Sequence, residues 1–352
     1  MASSESKRRR YWGFVNAMPA PLLAMIAKQA EAQGLVGLFA PQVYGPPFVP
    51  LAGAAMVTER LLLASGIAIA AARSPFETAM AASPFETAMA AIDLDRISGG
   101  RFVLGLGASV LAWTRDVFGA PEHKPLAHLR ETVAVVRHVI RGAHKGLTPF
   151  EGQYFRASFR ELQATAPPVR EEIPIWIAAL RGPMVRLAAE IAQGVMGHPM
   201  WSVDWAVEHI QPDLRAGLAK AGRKREDVDL NLWLWIAVNP DEAQAIDDAR
   251  ATVAFYAGVE QYESFFEAHG FGSEARRLQQ AVKSKQALAS GHLVPDAMVK
   301  AFVLCGKPDA VRARVERAWT VADSMCLVPP VYGLPPEKLL FYGQGIAKTF
   351  YE

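Results

Sequence analysis

Ile92-Asp93-Leu94-Asp95-Arg96-Ile97-Ser98-Gly99-Gly100-Arg101-Phe102-Val103-Leu104-Gly105-Leu106-Gly107-Ala108 is the stretch that decides the fold. Its first part is the end of a helix, because Gly99-Gly100 can take the left-handed backbone that caps one. Its second part, Phe102–Leu106, is an uncharged run short enough for a buried strand. The strand closes on glycines 105 and 107, where another group can approach the backbone.

Working outward from residue 92, the same alternation repeats. Candidate strands are Trp12–Asn16, Leu35–Ala40, Leu61–Ala70, Phe102–Leu106, Ile175–Ala178, Gly194–His198, Leu230–Val238 and Ser324–Val328. Between them lie apolar residues at helical spacing, such as Leu22 to Ala30, Val133-Val136-Ile140 and Val311-Val315-Trp319. Eight strands separated by helices predict an α/β protein of the (β/α)8 TIM-barrel type. A doubly wound open sheet is the competitor, but no dinucleotide glycine fingerprint follows the first strand. The expected organisation is a flexible basic N-terminus over residues 1–10 and one barrel domain over 11–352. Residues 142–172 and 258–299 are longer than ordinary connections and are read as insertions extending loops over a barrel face.

Composition narrows the function. The chain is 51% hydrophobic and 20% charged, enough apolar material for a large core. Lysine plus arginine number 37 against 35 acidic residues, so the net charge of +2 gives no electrostatic case for nucleic acid. The longest apolar stretch, Leu61–Ala72, is 12 residues and falls short of the roughly 18 that a membrane span needs. The basic run Lys7–Arg10 leads into Tyr11–Asn16 and then Pro19, which is not the pattern of a signal peptide. A cytoplasmic protein is therefore expected. Cys305 and Cys326 form neither a disulfide framework nor a zinc-ligand pattern, and no metal is expected.

One local feature is unusual. Ser74–Ala82, SPFETAMAA, is followed at once by an identical copy at Ser83–Ala91. Two copies of nine residues are too few and too short for a solenoid. Each copy opens like a helix, with serine as N-cap, proline at the first position and glutamate three residues after the cap. Nine extra residues would rotate a helix by about two and a half turns, and Pro84 would break a continuous one. The sequence thus predicts that the barrel helix begins at Ser83. The first copy is expected to form a loop or a separate short helix, either as a duplication tolerated at the surface or as a change to the active-site rim.

The string Ile92 to Ala108 resembles, as a whole, the LDRLSGGRFxLGxG signature of the bacterial-luciferase-like family of flavin and deazaflavin oxidoreductases. The likeness runs from about residue 12 to residue 330. Pro47–Ala52 with Thr58–Leu63 is similar to the family's second helix and third strand, and Arg73-Ser74-Pro75 to its following turn. Ile175–Ala179, Gly182-Pro183-Met184 and Leu187–Gly194 are similar to its cofactor-phosphate strand and helix. Gly197-His198-Pro199 and Gly306–Val311 complete the set. Phe118-Gly119 to His123, His198-Pro199 and Phe255-Tyr256 together resemble the actinobacterial type that uses coenzyme F420.

The resemblance implies a flavin or deazaflavin ring at the C-terminal ends of the strands. It also implies a non-prolyl cis peptide within Ser65-Gly66-Ile67 behind the ring, and Gly107, Ala108 and Ser109 along its edge. The cofactor phosphate would fall beside Ala178, on the N–H groups of Ala179, Leu180, Arg181 and Gly182. A helix opened by Arg-Gly-Pro is a reasonable anion site even without the resemblance. The chain departs from the family just after the second strand. Many members carry an acidic residue and a histidine there, whereas this chain has Gln42 and Val43, neither able to act as a general acid. Gln42 and His198 are the catalytic candidates: Gln42 by position, and His198 because it ends the sixth strand and its ordinary pKa suits proton transfer.

The resulting expectation is an oxidoreductase moving a hydride between coenzyme F420 and a small organic substrate. An FMN-dependent monooxygenase on the same barrel is the first alternative. A non-catalytic cofactor-binding barrel, its site altered by the repeat at 74–91, is the second. By the resemblance the chain forms a homodimer. Nucleic acid and membrane are not expected partners.

Overall fold

The computed structural model describes residues 9–42, 45–71, 84–283 and 288–352. Among these the chain runs β1 (Tyr11–Phe14), α1 (Ala20–Ala32), β2 (Gly37–Ala40), α2 (Phe48–Ala55), β3 (Leu62–Ser65), β4 (Ala68–Ile69), α3 (Pro84–Ile97), β5 (Phe102–Gly107), α4 (Leu111–Asp116) and α5 (Pro125–Gly142). It continues with β6 (Phe150–Glu151), β7 (Arg156–Ala157), β8 (Ile175–Ala179), α6 (Gly182–Ile191), β9 (Gly194–Gly197), α7 (Val203–Glu208), α8 (Ile210–Lys220) and β10 (Asp229–Val238). The remainder is α9 (Glu242–Ala257), α10 (Glu263–Ala268), α11 (Gly272–Lys283), α12 (Asp296–Phe302), β11 (Val303–Gly306), α13 (Pro308–Ala318), β12 (Ser324–Val328) and α14 (Pro336–Phe350). The fold is the expected (β/α)8 TIM barrel. None of the described helices is long and apolar enough to cross a membrane.

The chain groups into two compact units, one of residues up to Met196 with Pro212–Asn231, the other of Gly197–Gln211 with Leu232–Glu352. In the first unit the strands lie in the order β1-β2-β3-β5-β8-β9. The pairings are parallel, with Trp12 opposite Gly37, Leu38 opposite Leu63, Ala64 opposite Val103 and Gly105 opposite Trp176. The core beneath is aromatic. Trp12 stacks on Phe39 at 4.4 Å and meets Trp176 edge-on at 5.3 Å. Gly37 and Gly194 make room for these rings, since a Cβ at either would collide with Trp12 or Trp176 respectively.

The deciding stretch folds as its glycines require. Gly99 and Gly100 have φ of 64° and 84°, ending α3 in the left-handed region. Asp95, fully buried, accepts a hydrogen bond from the Phe102 N–H at 3.3 Å and pairs with the Arg170 guanidinium. Arg170 also donates to the Phe102 carbonyl at 2.7 Å. Arg101 reaches the carbonyl oxygens of Ser98, Leu61, Ala55 and Thr58 at 2.6–3.0 Å, and the Thr58 hydroxyl at 3.1 Å. Asp95 and Arg101 of the signature therefore lock the N-terminal end of β5. They do not face the end of the strand where chemistry is expected.

The second unit holds most of β10, which pairs in parallel with β11, Trp235 opposite Val303. Its C-terminal helix α14 is tied to α9 through the buried Asp248, which accepts from Tyr342 Oη at 2.8 Å and Lys338 Nζ at 2.5 Å.

Some expectations shift. The predicted strand Leu61–Ala70 is two short strands, β3 and β4, interrupted at Gly66–Ile67. Strand β11 was not expected: it follows α12 with no turn residue between Phe302 and Val303, so the sequence carries no boundary signal there. Helix α3 opens at Pro84, inside the second copy of the repeat. Ser83, the first copy and the Arg73-Ser74-Pro75 turn lie outside the described residues, as do Lys7, Arg8 and Val43. The 142–172 segment folds back on α5 and the start of β5: Glu131 of α5 accepts from the N–H groups of Gln153, Tyr154 and Phe155 at 2.7–2.9 Å, and Arg170 reaches Asp95. Segment 258–299 is largely helical, containing α10 and α11.

Replacing Asp95 by alanine would leave Arg170 half-buried without its carboxylate. We expect Asp95→Ala to cost about 3–5 kcal/mol in urea unfolding; a loss below about 1 kcal/mol would show that the lock is not structural.

Candidate active site

The first unit gathers eleven of the thirteen expected site residues at the C-terminal ends of β3, β5 and β8. The Gly66–Ile67 peptide bond is cis, where the resemblance placed it. Ser65, fully buried, donates its hydroxyl to the Gly105 carbonyl at 2.8 Å and accepts from the Gly105 N–H at 2.9 Å. Its hydroxyl thus joins β3 to β5 and is not offered to a ligand. Gln42, the twelfth residue, brackets the next turn. Its backbone N–H donates to the Ile67 carbonyl at 3.1 Å, and its side-chain oxygen accepts from the Ile69 N–H at 2.9 Å. A carboxamide can accept in this way at any pH, without the proton chemistry of an acid. Gln42 is a positioning residue for the Ile67–Ile69 segment.

Ile67 rests on Gly107. A Cβ at Gly107 would collide with the Ile67 side chain and come within 3.4 Å of the Ala178 Cβ. Ala108 and Ala178 are half-buried beside it. Together these form a floor of small, uncharged groups. Ser109 has φ of 57°, a left-handed conformation uncommon for a side chain of its kind, and its hydroxyl pairs with no other described residue. Such a floor with one hydroxyl at its edge fits a flat, largely apolar heterocycle such as a flavin or deazaflavin ring.

The phosphate end is electrostatically divided. Arg181 is exposed and is the N-cap residue of α6, whose first residues are Gly182 and Pro183. The Met184 and Val185 N–H groups bond to the Arg181 carbonyl at 2.9 and 3.1 Å. Against Gly182 stands the carboxylate of Asp213 on α8, paired with Arg186 of α6; a Cβ at Gly182 would collide with it. The helix N-terminus, an attractive place for an anion, already has a carboxylate beside it. Arg181 and Arg186 bring two guanidinium groups to this corner beside the one carboxylate of Asp213. Sequence reasoning missed Asp213 because it lies some thirty residues beyond Gly182 with no local pattern linking them.

His198, the thirteenth residue, belongs to the second unit. The Met200 N–H donates to its Nδ1 at 3.2 Å, so Nδ1 carries no proton and Nε2 is the protonated nitrogen, 3.2 Å from Tyr262 Oη. The ring lies edge-on to Tyr256 at 5.4 Å and to Tyr262 at 5.2 Å. Burial among these rings pulls His198 down to about 3. It is neutral near pH 7, which corrects the expectation that its ordinary pKa equips it for proton transfer. Tyr256 is driven the other way, its phenol pushed well above the usual value by burial and by Tyr332 and Tyr262.

The comparisons fit this architecture. The sequence model described as luciferase-like monooxygenase matches residues 15–322. An uncharacterized protein of Mycobacterium tuberculosis is 31% identical over 286 residues, covering 80% of this chain and 82% of its own length. A 5,10-methylenetetrahydromethanopterin reductase of Methanolobus tindarius is 27% identical over 331 residues, covering 93% and 95%. In structure, the coenzyme F420 dependent tetrahydromethanopterin reductase of Methanopyrus kandleri superposes with a TM-score of 0.77 at 24% identity, over 97% of this chain and 99% of that one. The chain belongs to the luciferase-like family of oxidoreductases and monooxygenases.

Two outcomes test this geometry. Because the folded ring of His198 stays unprotonated until about pH 3, while the unfolded one takes a proton near 6.5, stability should fall as pH drops through that window. In urea unfolding at several pH values, His198→Asn should remove that part of the slope; an unchanged slope contradicts the assignment. Removing the carboxylate beside Gly182 with Asp213→Asn should tighten binding of a phosphate-bearing flavin or deazaflavin by about two- to tenfold, the scale of one partly screened charge. Weaker binding would mean that the phosphate lies elsewhere.

Proposed function

We propose that the protein is an F420-dependent oxidoreductase that transfers a hydride between the deazaflavin and a small, largely apolar organic molecule. The observation that carries this reading is the uncharged floor of Ile67, Gly107 and Ala178 at the strand ends, with Gln42 fixing the segment above it. The bound deazaflavin would supply the hydride chemistry. The chain's own residues bind and orient: Ala108 and Ala178 flank the ring, Ser109 offers a hydroxyl at its edge, and Arg181 with Arg186 attracts the phosphate. Neither catalytic candidate donates a proton near pH 7, since Gln42 has none to give and His198 is neutral with both nitrogens engaged. A chemistry carried by positioning suits that equipment.

The similar tetrahydromethanopterin reductases, one of them coenzyme F420 dependent, support this reading. The family description as luciferase-like monooxygenase supports the second, an FMN-dependent monooxygenase on the same floor. Titration of the purified protein with F420, and separately with FMN, followed by cofactor fluorescence, separates them. We expect micromolar F420 binding with FMN at least tenfold weaker, and reduction of bound F420 by a primary or secondary alcohol, whose carbinol carbon would give up a hydride and whose hydroxyl would release its proton to solvent water. The reverse preference, with oxygen consumption on reduced FMN, would replace this reading with the monooxygenase.

A further inference from the structure

The second unit holds a cavity of about 520 Å3 between α7, α10, α12 and α13, lined by none of the residues named in the proposed function. Its size falls within the range of small-molecule sites. Trp205, Phe271, Ala268 and Ala301 supply apolar wall. Trp205 is held between two imidazoles, His209 at 4.3 Å and His269 at 4.7 Å between ring centroids. The His269 Nδ1 sits 2.9 Å from the Phe265 carbonyl, and its Nε2 sits 3.3 Å from the Ser202 hydroxyl. Ser202 already accepts from the Trp205 N–H at 3.0 Å. This arrangement is satisfied by a neutral imidazole with its proton on Nδ1, the form that burial favours for His269.

The three cations on the wall are not alike. Arg317 is paired with both Asp204 and Glu208 at 2.8 Å, and Lys300 with Glu242 at 2.6 Å. Arg314 has no carboxylate within ion-pairing distance among the described residues, although Asp204 and Glu242 lie near enough to favour its charge. Its hydrogen bonds run to the carbonyls of Lys300 at 2.7 Å and Val303 at 3.4 Å, which engage two of its five N–H donors. It is half-buried, where a guanidinium is less well hydrated than at the surface. The cavity therefore joins an apolar wall to a forked donor group, three of whose five N–H groups make no hydrogen bond to the described residues. That combination matches a planar oxyanion on a compact organic body.

We propose that this cavity binds a small organic anion, its single carboxylate or phosphate group on Arg314 and its apolar body against Phe271 and Trp205. The head-group chemistry is common to carboxylic acids and phosphate monoesters, and the test separates them. Isothermal titration of the full-length protein, without cofactor, would use benzoate, inorganic phosphate and the neutral benzamide. We expect saturable one-to-one binding of benzoate or phosphate, at least tenfold weaker binding of benzamide, and affinity that falls with added sodium chloride. Tighter benzoate binding marks a carboxylate site, and tighter phosphate binding a phosphate site. Arg314→Gln should weaken the anion at least tenfold. Because Arg314 also ties α13 to α12, Ala268→Phe provides a second variant that fills the exposed side of the cavity and leaves the guanidinium intact. It too should weaken binding at least tenfold with an unchanged circular dichroism spectrum. The proposal fails if neither anion saturates, if benzamide binds as tightly as benzoate, or if both variants bind like the unaltered protein.

Discussion

Two strands can approach only as closely as their side chains allow, and at β3 and β5 that limit sets the geometry of everything above. Gly105 carries no Cβ because one would collide with the Ser65 carbonyl, and in that space the Ser65 hydroxyl bonds both the N–H and the C=O of Gly105. The two strand ends are thereby pinned together. Gly66–Ile67 then turns at a fixed height, Ile67 settles over Gly107, and Gln42 closes the turn from the neighbouring strand. The floor of the proposed site is a consequence of this closeness, reached without a charged group.

The fold was legible in the sequence because its signals are local. Gly99-Gly100 ends a helix by its own backbone freedom, and the strand at 102–107 is an uncharged run whose six residues are all buried. The roles within the site were less legible. Ser65 and Gln42 stood at the right positions, but a sequence does not say whether a hydroxyl or carboxamide points to a ligand or to a backbone forty residues away. Asp213 at Gly182 and the tyrosines around His198 are likewise contacts between distant segments, invisible to any pattern of neighbours. Strand β11 was hidden for the opposite reason, since helix and strand meet at Phe302–Val303 without a glycine, proline or polar break.

The electrostatic character of the two units differs in a way that bears on chemistry. In the first, the ring floor is neutral and charge is confined to the corner of Arg181, Arg186 and Asp213. In the second, a histidine whose place at a strand end would mark it as a proton carrier is held neutral by aromatic neighbours and a backbone N–H. Both arrangements favour holding a reactive partner in place over exchanging protons with it.

The grip of Arg101 has a consequence for how such a barrel changes over generations. Four of its five contacts are to carbonyl oxygens, those of Ser98, Leu61, Ala55 and Thr58, which every amino acid possesses. Substitutions at Ala55 or Leu61 would therefore leave the partner atoms in place, and the anchor at the lower rim constrains the path of the chain much more than its letters. Lineages carrying this anchor can rewrite the surrounding helices, and the loops at the opposite rim, while the scaffold persists. That separation of a backbone-read foundation from a side-chain-read site is one physical route by which a single architecture comes to serve many substrates.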